Sequence, residues 1–236
     1  MENDNRYIEL SGDFNIAFNY RHIDSADSLV FLHGFGSASG PESFGYAMED
    51  QARVVLKVLN KLKVESFHLC AHSMGGLVAM EMAELEPERT LSLINMEGNL
   101  TPEDCFFSEK IAELTYDEFE KRGRRQFEDN FRGTGPEGPD KNEYLETLSM
   151  ALTGALYKSA RHTVTDSSAV PVDQFSRIKN ACYIYGEKNR GVYPGEKLLR
   201  EKGVPLLYIK DAGHSMATDN PEELYRVISS FIEGLA

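Results

Sequence analysis

Phe67-His68-Leu69-Cys70-Ala71-His72-Ser73-Met74-Gly75-Gly76 is the stretch on which the reading of this chain turns. Residues 67–70 form a short apolar run, the length of a buried strand. Residues 75–84 are rich in Ala, Met and Val and read as a helix. Ser73 therefore sits at a strand-to-helix turn. Such a turn must be tight, so the residues two before and two after the serine must be small; here they are Ala71 and Gly75. The turn strains the serine backbone. It also lifts the hydroxyl clear of the sheet, beside the positive end of the next helix.

Outward from this turn, strand and helix patterns alternate. Residues 7–10 and 15–21 read as two strands joined through Ser11-Gly12-Asp13, a hairpin signal. Ser28–Leu32 is an apolar run that stops at His33-Gly34-Phe35-Gly36. Residues 48–63 carry Ala52, Val55, Leu56, Leu59 and Leu62 at helical spacing. Further strands fall at 91–96, 181–185 and Leu206–Ile209. A closing amphipathic helix spans 222–232, with Pro221 at a favoured start position. The strands from Leu29 onward are nearly all apolar and do not alternate, as expected of strands buried on both faces. The expected fold class is α/β, a mostly parallel central sheet covered by helices on both faces.

The stretch 99–166 holds no strand pattern. It carries helical patterns at 108–114, 116–127 and 143–157, interrupted at Gly133-Thr134-Gly135-Pro136-Glu137-Gly138-Pro139. It reads as a helical cap insertion into a core made of residues 1–98 and 167–236. Its apolar residues Phe106, Phe107, Phe119, Met150, Leu152 and Leu156 are candidates to face a site, of which two or three are expected to do so.

The chain has 236 residues, 41% hydrophobic and 27% charged, ordinary for a globular protein able to bury a sizeable core. Lys and Arg number 25 and Asp and Glu 38, a net charge of −13 that argues against nucleic acid and anionic membranes as partners. No apolar run approaches the roughly 20 residues of a membrane span. The acidic first ten residues lack a signal-peptide core. Cys70, Cys105 and Cys182 show no paired spacing and read as reduced thiols, so a cytoplasmic location is expected. The histidines lack metal-ligand spacing and no Gly-rich loop carries a phosphate-cradle Lys, so neither metal nor cofactor is expected.

The Ser73 turn, with its strand before and helix after, resembles the nucleophile elbow of the α/β-hydrolase superfamily. Ala71 stands where the first Gly of that motif is usual. The resemblance reaches from Ser28 to the end of the chain. It implies that His33-Gly34-Phe35-Gly36 is the oxyanion-hole segment, with the backbone N–H groups of Phe35 and Met74 as its donors. It implies that His214, in Asp211-Ala212-Gly213-His214-Ser215-Met216 after the last strand, is the general base. His33, His68 and His72 read as structural. The third member is open. Asn189 falls where many relatives carry an Asp, and an amide cannot stabilise an imidazolium. Glu97, at the end of the strand after the elbow, fits the place from which some relatives take their acid. Glu187 and Asp211 are the alternatives.

Only 39 positions separate Gly34 from Ser73. The superfamily normally fits a helix, a strand and a second helix there, so about 25 residues are missing. Either strand 15–21 pairs directly with Ser28–Leu32, or residues belonging between Ser37 and Ser43 are absent from the sequence. The resemblance implies a serine hydrolase, carboxylesterase-like, cleaving a small carboxylic ester or related acyl substrate through an acyl-enzyme on Ser73. The alternative is a non-catalytic relative that binds a ligand or partner, suggested by Asn189 and the short span. A serine nucleophile argues against dehalogenase and epoxide hydrolase chemistry. Acyl and alcohol specificity are not legible.

Overall fold

A computed structural model describes residues 4–11, 14–21, 27–36, 40–134, 139–169 and 171–235. Strands β1 (Asp4–Ser11) and β2 (Phe14–Tyr20) form an antiparallel hairpin, with Tyr7 opposite Ala17. Its turn residues Gly12 and Asp13, and His22 beyond it, lie outside the described residues. Five further strands make the central sheet: β3 (Ser28–Leu32), β4 (Phe67–His72), β5 (Thr90–Met96), β6 (Ala181–Gly186) and β7 (Leu206–Ile209). They are all parallel and lie side by side in chain order.

That order decides where the helices go. Each crossover between neighbouring parallel strands is right-handed. Four crossovers stepping the same way across a sheet put their helices on the same face. Accordingly α1 (Met48–Lys61), α2 (Gly75–Leu85), α8 (Pro171–Ser176) and α9 (Pro194–Glu201) share one core with Leu69, Leu93 and Tyr183. The opposite face receives only the segment after β7: the short α10 (Met216–Asp219) and α11 (Pro221–Glu233). Leu224 and Ile228 of α11 pack there with Cys70, Ile94 and Ile184. Burial of each stabilises the fold by roughly 1.5–3 kcal/mol. Helix α11 starts sharply because Asn220 accepts a hydrogen bond from the Glu223 N–H and Pro221 opens the first turn.

One helix cannot cover a whole sheet face. Next to α11 the outer side of β3 is bare, with Leu29 42% and Phe31 53% exposed. Strands β2 and β3 do not pair; the hairpin and the five-stranded sheet are separate. Of the two alternatives for the short 34–73 span, direct pairing of strand 15–21 with Ser28–Leu32 is therefore not found. That alternative assumed that an unpaired β3 edge would be buried. With this strand half-exposed, water can satisfy its outward amides and the penalty does not arise. The hairpin is tied instead to α1, where Lys61 Nζ donates to the Glu9 carbonyl at 2.6 Å.

The cap comes after β5, and among its described residues the elements are helices: α3 (Ser108–Ala112), α4 (Tyr116–Glu118), α5 (Arg124–Thr134), α6 (Pro139–Met150) and α7 (Thr153–Ser167). A π-helical turn at Phe119–Gly123 joins α4 to α5. The single helix expected over 143–157 is two helices. Leu152 adopts an extended ψ of 141° and starts α7. Met150 and Leu152 at this break are exposed and face no site, while Phe119 and Leu156 fill the core. Among the described residues no helix is long and apolar enough to cross a membrane.

Candidate active site

Ser73 has a left-handed backbone, φ 55°, at the turn between β4 and α2. A non-glycine residue there costs about 1–2 kcal/mol, and such strain persists only when neighbours enforce it. Here the Ser73 N–H donates to Met96 O at 3.1 Å, and the Gly76 N–H closes the turn on Ser73 O at 2.8 Å. Gly75 faces the end of β3: a Cβ on it would lie 2.6 Å from the His33 carbonyl and 2.9 Å from that of Leu32. Ala71, two before the serine, is fully buried. The demand for small residues on either side is therefore a packing demand.

The Phe35 loop runs alongside. A Cβ on Gly34 would be 3.0 Å from Ser73 Cβ, and one on Gly36 (φ 86°) would be 2.8 Å from the Tyr144 hydroxyl. The loop is thus pressed between the elbow and cap helix α6. Among the described residues, neither the Phe35 N–H nor the Met74 N–H donates to a protein acceptor.

His214 lies in the loop after β7, and Glu97 directly follows β5 with its own left-handed φ of 45°. Glu97 Oε2 lies 2.8 Å from His214 Nδ1. An ionised carboxylate can only accept, so Nδ1 carries the hydrogen, and in the neutral imidazole tautomer Nε2 then holds the lone pair. The carboxylate is buried and held from its other sides. Gly186 N–H donates to Oε1 at 2.7 Å, and Asn189 Nδ2 donates to Oε1 at 3.0 Å and Oε2 at 2.9 Å. The amide at position 189 thus grips the acid from β5. Glu187 does not reach His214; its carboxylate takes the Asp211 N–H at 3.4 Å. Among the described residues no hydrogen bond joins the Ser73 hydroxyl to His214, a contact that commonly tightens only with substrate bound.

Three further groups fix the histidine loop. His72 Nε2 donates to the His214 carbonyl at 2.8 Å, and the two rings lie 4.6 Å apart. Burial, helped by repulsion from His214, pushes His72 down to about 3, so it stays neutral. Asp219 accepts the Gly213 N–H at 2.7 Å. Gly186 permits the closest approach: a Cβ there would lie 2.3 Å from the Gly213 carbonyl. Behind Glu97, the Tyr183 hydroxyl donates to Gly98 O at 2.6 Å. None of these four carries a motif by itself, and only the fold brings them together.

Aromatic rings link the histidine to the Phe35 loop. Phe106 meets His214 edge-on at 5.4 Å and Phe107 at 4.5 Å. Phe107 meets Phe127 at 6.0 Å, and Phe127 meets Phe35 at 6.4 Å. Phe131 joins the same wall and packs on Tyr144 at 4.7 Å. Of the cap residues singled out in the sequence, Phe106 and Phe107 are here. Among the described residues no group of three or more His, Cys, Asp or Glu side chains could hold a metal ion.

A serine on a strained strand-to-helix turn, a histidine loop after the last strand and a helical cap over a parallel sheet define a class. Residues 32–198 match the alpha/beta hydrolase fold family, and the chain belongs to it. It is 38% identical over 61 residues to RutD of Variovorax paradoxus (strain S110), a protein to which carbamate hydrolysis is ascribed. That match covers 26% of this chain and only 23% of RutD. Among solved structures, a thermophilic esterase from Thermogutta terrifontis superposes with a TM-score of 0.76 at 16% identity, covering 98% of this chain and 99% of the esterase. MenH from S. aureus superposes with 0.73 at 15% identity, covering 90% of this chain and 96% of MenH. At such identities these two likenesses concern the fold.

Proposed function

We propose that this chain is a serine hydrolase that cleaves a small carboxylic ester or related acyl compound, a carbamate included. The observation that carries the reading is the 2.8 Å contact between Glu97 and His214 Nδ1, which leaves Nε2 as a base. Ser73 attacks the acyl carbon while its proton passes to His214 Nε2. The carbonyl electron pair moves onto oxygen, held by the Phe35 and Met74 N–H groups. As the intermediate collapses, the bond to the leaving group breaks and His214 returns the proton to the departing atom. Water then adds to the acyl carbon, giving its proton to His214. The Ser73 ester bond breaks, the acid leaves and Ser73 regains its proton.

The Glu97 contact weakens the case for a non-catalytic binding role, since that case leaned on the amide at 189. The RutD match supports hydrolysis of an acyl compound. A panel of esters and carbamates sorted by acyl length, assayed with the native protein and Ser73→Ala, tests the reading. Turnover lost in the variant supports it, and turnover equal in both contradicts it.

A further inference from the structure

The face of the sheet that carries α11 holds a cavity of about 320 Å3 beside the bare side of β3. Its walls include the chain neighbour of each triad candidate: His72 beside Ser73, Met96 beside Glu97 and Ser215 beside His214. Phe31 closes it from β3 and Tyr144 from the cap. No lining residue is an Asp, Glu, Lys or Arg, although such residues make up 27% of the chain. A charged guest would find no counter-charge there, so the cavity suits a neutral one. An apolar cavity of about 150 Å3 already accepts a benzene ring. This one has room for such a ring with a short chain, and the Ser215 and Tyr144 hydroxyls offer polar contacts.

We propose that this cavity is the leaving-group subsite, taking the uncharged aromatic or apolar alcohol half of an ester. The proposal rests on the serine-hydrolase reading. In the collapse step the carbon–oxygen bond breaks and the His214 Nε2 proton goes to the departing oxygen, which leaves as a neutral alcohol. The departing half must then lie on the His214 side of Ser73. The cavity flanks the histidine loop, walled by the residue after His214 and by the ring that holds its carbonyl.

The test uses acetate esters of methanol, benzyl alcohol and 2-phenylethanol, whose common acyl group isolates the alcohol, with the native protein and Ala217→Phe. Ala217 lines the cavity from an exposed position, so the larger ring can fill it. The ratio of kcat/KM for the phenylethyl to the methyl ester should fall at least tenfold in the variant. In Ser73→Ala, benzyl alcohol should shift the methyl resonances of Met96 and Met216, and adding Ala217→Phe should abolish the shift. An unchanged ratio, or Met96 and Met216 shifts that persist with Ala217→Phe, overturns the subsite while leaving the hydrolase reading intact. If the native protein hydrolyses none of the three and no fluorophosphonate labels Ser73, the hydrolase reading fails. The leaving-group assignment then falls with it, even if benzyl alcohol binds.

Discussion

Glu97→Gln should lower kcat/KM by about 10³- to 10⁴-fold with the fold intact. The substitution keeps the shape of the side chain and changes two things. It removes a negative charge that faces the imidazolium of the transition state through a 2.8 Å hydrogen bond. Charge centres about 4 Å apart at an effective dielectric near 20 interact by about 4 kcal/mol. At about 1.4 kcal/mol per decade that is roughly a thousandfold. The side chains are 3% and 26% exposed for Glu97 and His214, so screening is limited. The second change concerns hydrogens. Three donors, Gly186 N–H, Asn189 Nδ2 and His214 Nδ1, converge on this carboxylate. An amide offers one oxygen. If Gly186 and Asn189 take it, the NH2 group faces Nδ1 and drives the hydrogen to Nε2, where it blocks acceptance of the Ser73 proton. That loss extends the estimate towards 10⁴. Steady-state ester kinetics at pH 8, with circular dichroism and thermal unfolding to verify the fold, decide. A Glu97→Gln rate within tenfold of the native rate would refute the assignment.

Gly186→Ala should cost about 10²-fold in kcat, because its Cβ would sit 2.3 Å from the Gly213 carbonyl and must displace the histidine loop by about 1 Å; a crystal structure of the variant checks the shift. Asn189→Asp sets a second carboxylate against Glu97, and two like charges so close cannot both ionise freely. The acid limb of the pH–rate profile should move to higher pH, and an unchanged limb would show that position 189 does not act on Glu97. His72 bears on stability. Its unfolded value is 6.5 and its folded value about 3, so between these the unfolded chain binds a proton that the folded chain refuses. Native stability therefore falls as pH drops through that window, by up to about 1.4 kcal/mol per pH unit from this group. Urea unfolding at pH 7 and pH 5 should show a smaller loss in His72→Phe than in the native protein.

Much of this site was legible because its constraints are local. The small residues at 71 and 75 and the strand-to-helix switch around Ser73 sit within ten residues, so packing against β3 and β5 leaves a signature in sequence. Glu97 was legible from its place at the end of the strand after the elbow and from the amide at 189. The roles of His72, Gly186 and Asp219 depend on contacts across as many as 142 positions and leave no local mark. The aromatic wall joins Phe106 to Phe127, Phe131 and Tyr144 from three separate cap segments, whose helical spacing is indistinguishable from ordinary core packing. The bare β3 face was misread for a related reason. Strand identity is local, but which face a crossover helix covers depends on the order of all five strands. The break at Leu152 also escaped, because apolar periodicity runs through it without a proline.

The central claim is that Ser73 is a nucleophile activated by His214. Incubation with a fluorophosphonate, then intact and peptide mass spectrometry, tests it most directly. A single adduct is expected on the peptide carrying Ser73, absent in Ser73→Ala and formed far more slowly in Glu97→Gln. No adduct, or one on another residue at an equal rate in all three proteins, would contradict it.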